Sequence, residues 1–189
     1  AATNQFLEAH NKKNCLTALH VNHQTQSDSS SWQIHCEKFC KEHNINFSCK
    51  SVEIKESGQG YEAAARSARL DIFNAFDEAT VIILGHHLDD QVETVFFRVL
   101  RGTGLKGLTG MQRHLKIKDK DFIRPLLHLT KEEIFKQTKE YKLSFIEDQS
   151  NTDNAYSRNF LRNEIIPQIS KRWPGCLLYT SDAADDTRS

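Results

Sequence analysis

The stretch Thr80-Val81-Ile82-Ile83-Leu84, followed at once by Gly85-His86-His87, restricts the possible folds more than any other part of this chain. A β-branched run without polar alternation predicts a strand covered on both faces, as at the centre of a parallel sheet. Behind it Val92, Val95, Phe96, Val99 and Leu100 repeat at helical spacing up to Gly102, with Asp89-Asp90 at the expected cap. Strand, polar turn and helix make half of a βαβ unit, and the same order recurs upstream. Residues 16–21 predict a strand, and Trp32, Cys36, Phe39, Cys40 and His43 mark a helix with Ser27 and Asp28 as candidate caps. Residues 47–54 alternate as a strand, Gly58 and Gly60 punctuate a loop, and residues 61–78 carry Ala64, Ala68, Phe73 and Phe76 at helical spacing. Residues 3–10 read as the back of a helix with Phe6, Leu7 and Ala9 inward. Repeated strand and helix predict an α/β fold with a doubly wound parallel sheet.

Past Gly102 the pattern changes. Residues 102–110 form a glycine-rich loop, and Leu115-Lys116-Ile117 can pair with Phe122-Ile123 around Asp119-Lys120. Thr130-x-x-Glu133 is a capping box that opens a helix, residues 148–154 are rich in turn formers, and residues 158–171 predict a last helix that Pro167 should kink. A small helical segment therefore follows the sheet. The boundaries expected are 1–111 for the α/β domain, 112–175 for the remainder with its helical segment, and 176–189 for a non-native tail resembling a translated adapter.

The net charge of the 189 residues is zero, but the charge is unevenly placed. Residues 1–97 carry 8 basic and 13 acidic side chains, whereas residues 98–136 carry 10 basic and 4 acidic, a local charge of +6. That block, which contains Arg101, Lys106 and Arg113, suits a polyanion. No apolar run approaches the roughly 18 residues of a membrane helix. The start of the chain lacks the pattern of a secretion signal, so the five cysteines are expected to be free thiols in a reducing, cytoplasmic setting.

In doubly wound sheets the ligand sits beyond the carboxyl ends of the strands. Two polar clusters fall there: His20-Val21-Asn22-His23, and Gly85-His86-His87-Leu88-Asp89-Asp90-Gln91-Val92-Glu93-Thr94. Asp90, Glu93 and Thr94 share one helix face, where carboxylates could hold a magnesium ion that shares oxygens with a nucleotide phosphate. The competing reading makes Asp89 and Asp90 helix caps. Glu62 and Arg66 lie one turn apart and could be no more than a surface ion pair. His20-x-x-His23 and Cys36-x-x-x-Cys40 allow zinc, but the cysteines coincide with a buried helix stripe. Gly102-Thr103-Gly104-Leu105-Lys106-Gly107 matches G-x-G-x-x-G, yet it follows a helix, which excludes the dinucleotide fingerprint. It reads either as a loop approaching phosphate or as a helix ending.

Taken together, these blocks resemble the tRNA(Ile)-lysidine synthases of the PP-loop (N-type) ATP pyrophosphatase superfamily. The matching stretches are His20 to His23, Glu62 to Arg66, Gly85 to Thr94, Arg101 to Met111, Arg124-Pro125-Leu126-Leu127, and Asp148-Gln149-Ser150-Asn151 with Arg158-Asn159-Phe160-Leu161-Arg162. The resemblance implies ligation of L-lysine, through its ε-amine, to C2 of the wobble cytidine in the CAU-anticodon tRNA(Ile), after ATP has adenylated the carbonyl. It implies Asp90, His86, Glu93, Arg66 and Arg158 as catalytic residues. It also implies His20, Asn22, His23, Gly85 and His86 as nucleotide contacts, ATP with Mg²⁺ as cofactors, and Asp90 as a magnesium or lysine contact. A homodimer is among the assemblies it allows. The family's Ser-Gly-Gly-x-Asp-Ser phosphate loop has no counterpart before Thr3, so the chain as it stands is expected to turn over little ATP. The alternatives are an inactive tRNA-binding fragment and a PP-loop cytidine thiolase, the latter disfavoured by the lack of a Cys-x-x-Cys pair.

Overall fold

A computed structural model describes residues 1–12, 15–23, 29–53, 61–104, 108–173 and 175, with the side chains of Tyr61 and Glu62 outside that description. The expected caps Ser27 and Asp28, the loop glycines Gly58 and Gly60, Lys106, and the tail 176–189 lie outside the described residues. The chain divides into two compact units, Ala1–Glu78 and Ala79–Ser189.

The first unit contains α1 (Ala2–Ala9), β1 (Thr17–Asn22), α2 (Ser29–Glu42), β2 (Asn46–Ser51) and α3 (Tyr61–Ala75). β1 and β2 pair in parallel from Thr17 opposite Asn46 to Asn22 opposite Ser51, with α2 as the crossover packed on both. The predicted stripe of α2 is met: Cys40 is buried, and Trp32, Cys36, Phe39 and His43 are half-buried. Burial raises the thiol pKa values of Cys36, Cys40 and Cys49, which leaves them poor nucleophiles. The expectation for α1 needs correction, because Phe6 is 61% exposed and only Leu7 of its apolar residues is half-buried.

The second unit contains β3 (Val81–Ile83), α4 (Leu88–Leu100), β4 (His114–Ile117), β5 (Lys120–Ile123) and α5 (Lys131–Glu140). A short 3-10 turn (Gln149–Thr152), α6 (Ser157–Phe160), a π-helical turn (Leu161–Ile165) and α7 (Ile166–Arg172) follow. The β4–β5 hairpin forms with its turn at Lys118-Asp119, one residue before the expected Asp119-Lys120, because Lys120 already pairs with Ile117; β3 pairs in parallel with β5 in the order β3-β5-β4. Among the described residues β3 is therefore an edge strand of this sheet and not its centre. Ile82 is buried, whereas Val81 and Ile83 on its other face are about half exposed. The α/β class with parallel pairing holds in both units. The predicted last helix is a composite in which a π turn precedes Pro167 at the start of α7. Lacking an N–H, proline cannot extend the regular ladder, so the disturbance sits in the turn before it.

The core of this unit lies along α4, where Leu88 and Val92 are buried with Phe122, Met111, Leu127 and Leu161. α4 ends in a Schellman arrangement: Gly102 adopts φ +73, its N–H reaches Val99 O at 3.0 Å, and Thr103 N–H reaches Arg98 O at 3.2 Å. The helix-ending reading of Gly102 is thus the structural one. Further on, buried Gln91 donates from Nε2 to Met111 O at 3.0 Å, and Arg98 donates to Gly110 O at 2.8 Å. Gly110 has φ +64, and a Cβ there would lie 2.7 Å from the Gln91 amide. Gly110→Ala combines backbone strain with this clash and is expected to cost about 1–3 kcal/mol in urea denaturation. An unchanged midpoint would show that Gln91 can yield.

Candidate active site

The turn between β3 and α4 begins with Gly85-His86-His87. His87, and neither Asp89 nor Asp90, is the N-cap of α4. Its backbone N–H donates to Asp90 Oδ2 at 3.0 Å, so Asp90 closes a capping box from the third helical position. Asp89 serves a different helix: its Oδ2 accepts the N–H of Lys131 at 2.8 Å, at the first turn of α5. Thr130 caps α5 as the sequence predicted, accepting from Glu133 N while Glu133 Oε2 accepts from Thr130 N.

The His87 ring stands between two carboxylates, with Nδ1 3.6 Å from Asp89 Oδ2 and Nε2 3.5 Å from Asp90 Oδ2. These are ion-pair distances, longer than good hydrogen bonds. Asp89 is the main cause that raises the His87 pKa above the ordinary imidazole value, against the opposing effect of burial, and Asp90 and Glu93 add to it. His87 in turn lowers the Asp89 pKa, helped by the Lys131 N–H. A raised histidine pKa contributes stability fully present below about pH 6.5 and lost as pH rises through the folded value; a lowered aspartate pKa contributes above about pH 3.9 and is lost on acidification. The stability that Asp89 lends through His87 should therefore fall from pH 6 to pH 8, so Asp89→Asn should cost more at pH 6 than at pH 8, while His20 and His23, with lowered pKa values, act in the opposite sense in both proteins. An equal cost at the two pH values would remove Asp89 as the source.

Glu93 is 1% exposed, and both of its oxygens are taken by the Arg162 guanidinium, Nε to Oε1 at 2.5 Å and NH2 to Oε2 at 2.9 Å. Arg162 also places NH2 3.8 Å from Asp90 Oδ1 and donates from NH1 to Asn151 Oδ1 at 3.2 Å. The Glu93 hydrogen bonds hold its pKa above the ordinary arginine value. A cavity of about 70 Å³ opens here, lined by Leu88, Asp89, Val92, Glu93, Thr130, Arg162 and Ile166. Arg162 was not predicted as a site residue. The usable signal was the predicted buried side of α4: an acid there requires a cation, and Arg158 and Arg162 stand one turn apart in the last matching block.

The remaining predicted residues fall as follows. Arg158 is half-buried with its guanidinium 5.5 Å from the Phe97 ring centre, and Arg101, the C-cap of α4, lies 5.3 Å from the same ring. Arg113 is exposed just before β4. His86 is half-buried and its Nδ1 accepts from Arg124 Nε at 3.3 Å. The second unit thus brings together Asp90 and Glu93, with Asp89, His87 and Arg162 around them. Asp90 faces His87 and Arg162, so the set present does not fit a divalent cation on its own.

His20, Asn22, His23 and Arg66 belong to the first unit. His20, Asn22 and His23 gather at the carboxyl end of β1, and Arg66 is exposed on α3. Asn22 is buried and donates to Gln33 Oε1 at 3.3 Å. His23 Nδ1 is buried and lacks a hydrogen-bond partner among the described residues, an orphan that a bound ligand could satisfy. Burial lowers the His23 pKa, with Arg69 and His20 adding to the shift, and burial also lowers that of His20.

A tRNA(Ile)-lysidine synthase of Histophilus somni (strain 2336) is 42% identical over 159 residues, covering 84% of this chain and 37% of the relative. The enzyme of that name from Legionella pneumophila (strain Lens) is 40% identical over 172 residues, 90% of this chain and 40% of its own length. The chain thus spans well under half the length of these curated relatives. Among solved structures, the U34-tRNA thiolase NcsA of Methanococcus maripaludis, determined with its 4Fe–4S cluster, superposes with a TM-score of 0.76 at 17% identity, over 98% of this chain and 65% of that one. That likeness concerns the fold alone. The sequence model of the PP-loop domain matches residues 2–169, and the chain belongs to the PP-loop domain family.

Proposed function

We propose that this chain forms part of the catalytic region of an enzyme that joins L-lysine to C2 of the wobble cytidine in the CAU-anticodon tRNA(Ile). The observation that carries the reading is the carboxylate cluster on the first turns of α4, held by Arg162, within a chain about 40% identical to lysidine synthases. ATP, brought with Mg²⁺, would supply the adenylyl group that makes the ring oxygen a leaving group. His20, Asn22 and His23 at the end of β1, with Gly85 and His86 at the end of β3, are assigned to nucleotide contact. Arg66 and Arg158 are assigned to the negative charge of the activated substrate.

The attacking ε-amine must be neutral, so a side chain has to accept its proton. Glu93 has both oxygens engaged by Arg162, which makes it the anchor of the cluster. Asp90 Oδ1 lies 3.8 Å from the guanidinium, beyond hydrogen-bond reach, and we assign it the amine. The thiols of Cys36, Cys40 and Cys49, with pKa values raised by burial, argue against sulfur transfer through them. A cytoplasmic setting suits a tRNA substrate, and no helix among the described residues is long and apolar enough to cross a membrane.

The test supplies radiolabelled lysine, ATP, Mg²⁺ and a CAU-anticodon tRNA(Ile) transcript to the chain joined to the upstream phosphate loop that the resemblance implies. Lysine should enter the wobble-cytidine transcript and not one with guanosine there. In a parallel reaction with sulfide added, incorporation of sulfur without lysine would replace this reading with thiolation. RNA binding is a separate expectation: affinity should fall steeply with salt, and neutralising Arg101, Lys106 and Arg113 together should shallow the log–log slope by about 2–3. A slope unchanged by the triple substitution would move the RNA surface elsewhere.

A further inference from the structure

We propose that Arg124 is a positioning residue that fixes His86 in the Nε2–H tautomer, so that His86 serves the site as a hydrogen-bond donor and not as a proton acceptor. The placement follows from strand pairing. β3 and β5 run in parallel, and the ladder continues one residue past β3, with Leu84 N–H on Ile123 O at 2.8 Å. The two chains therefore leave the sheet side by side, one into Gly85-His86 and the other into Arg124.

Arg124 is 5% exposed and held at several points. Its backbone N–H donates to Arg113 O at 2.8 Å, its NH1 to Gln112 O at 2.8 Å, and its Nε to His86 Nδ1 at 3.3 Å. A guanidinium has five donors, no acceptor, and a charge that does not titrate in proteins. A ring nitrogen that faces it must present a lone pair. With Nδ1 accepting, the single proton of the neutral imidazole sits on Nε2. Protonating Nδ1 as well would set two donors and two cations against each other. His86 is thereby removed from the groups that could take the proton of an attacking amine, and Asp90 is left for that task. This last step rests on the lysine-ligation reading; the tautomer does not.

The test is ring nitrogen NMR on the uniformly ¹⁵N-labelled chain at neutral pH, with the His86 signals identified by their loss in His86→Gln. The expected result is a bare Nδ1 and a protonated Nε2. A protonated Nδ1, alone or together with Nε2, overturns the proposal. In Arg124→Met the His86 signals should move to values averaged between tautomers, and an unchanged bare Nδ1 would remove Arg124 as the cause. Should the methionine variant not fold, Arg124→Gln carries the same comparison, because a neutral amide can present either a donor or an acceptor to His86 Nδ1 and so imposes no tautomer. Lysine incorporation plays no part in this readout, so the failure of either reading is distinguishable from that of the other.

Discussion

Arg162→Met is expected to lower stability by about 3–5 kcal/mol, the loss typical when one member of a buried pair is removed and its charge is stranded. Glu93 is 1% exposed and takes two hydrogen bonds from this single side chain. Methionine fills part of the volume and leaves the carboxylate in an apolar wall of Leu88, Val92 and Ile166. Domains of this size are stable by only about 5–15 kcal/mol, so a large fraction would be lost. The measurement is a urea titration followed by near-ultraviolet dichroism, comparing midpoints at constant slope. Removing both charges, in Arg162→Met with Glu93→Met, should recover most of the loss, since an apolar pair of similar volume is often no worse than a buried ion pair. A single-variant loss below about 1 kcal/mol would mean that water reaches Glu93 and the pair behaves as a surface one.

Asp90→Asn should have the largest effect on activity. Removing a positioned general base typically slows the chemical step by about 10²- to 10⁴-fold. Asparagine keeps the shape of the side chain and an oxygen to accept the His87 N–H, so the cap is retained and stability should change by no more than about 1 kcal/mol. The assay is lysine incorporation into the CAU-anticodon transcript by the chain carrying its upstream loop, together with release of pyrophosphate from ATP. Adenylation should persist while lysine transfer fails. Unimpaired transfer would return Asp90 to a purely capping role, and the assignment of the proton acceptor would have to move.

Much of this arrangement was legible in the sequence where local chemistry decides it. The Thr130–Glu133 box, the β4–β5 hairpin, read to within one residue of its turn, and the strand at Leu16 to Val21 depend on turn chemistry or apolar runs only a few residues long. The β-branched run before Gly85 identified a strand, but its partner was not readable. Its neighbour β5, about 40 residues later, flanks it on one side, and only one of its faces is covered: Ile82 is buried while Val81 and Ile83 on the other face are half exposed. The helix cap was misplaced by two to three residues for a related reason. Acids in the first turn are favoured wherever a helix starts, so Asp89 and Asp90 do not by themselves show which residue precedes it. Among the candidate catalytic residues, Asp90 and Glu93 were found from spacing on one helix. Arg162 and Arg124 were not, since their partners lie 69 and 38 residues away and only folding brings them together.

The π turn at Leu161–Ile165 bears on a mismatch of periods between two helical stretches. The last stretch meets α4 through residues spaced by four: Arg158 over Phe97, Arg162 on Glu93, and Ile166 beside Leu88 and Val92 in the cavity wall. On an ideal α-helix four residues turn through about 400°, so each step overshoots by about 40° and a column of such contacts drifts sideways. A wider turn placed between the first and last of the three takes up that overshoot.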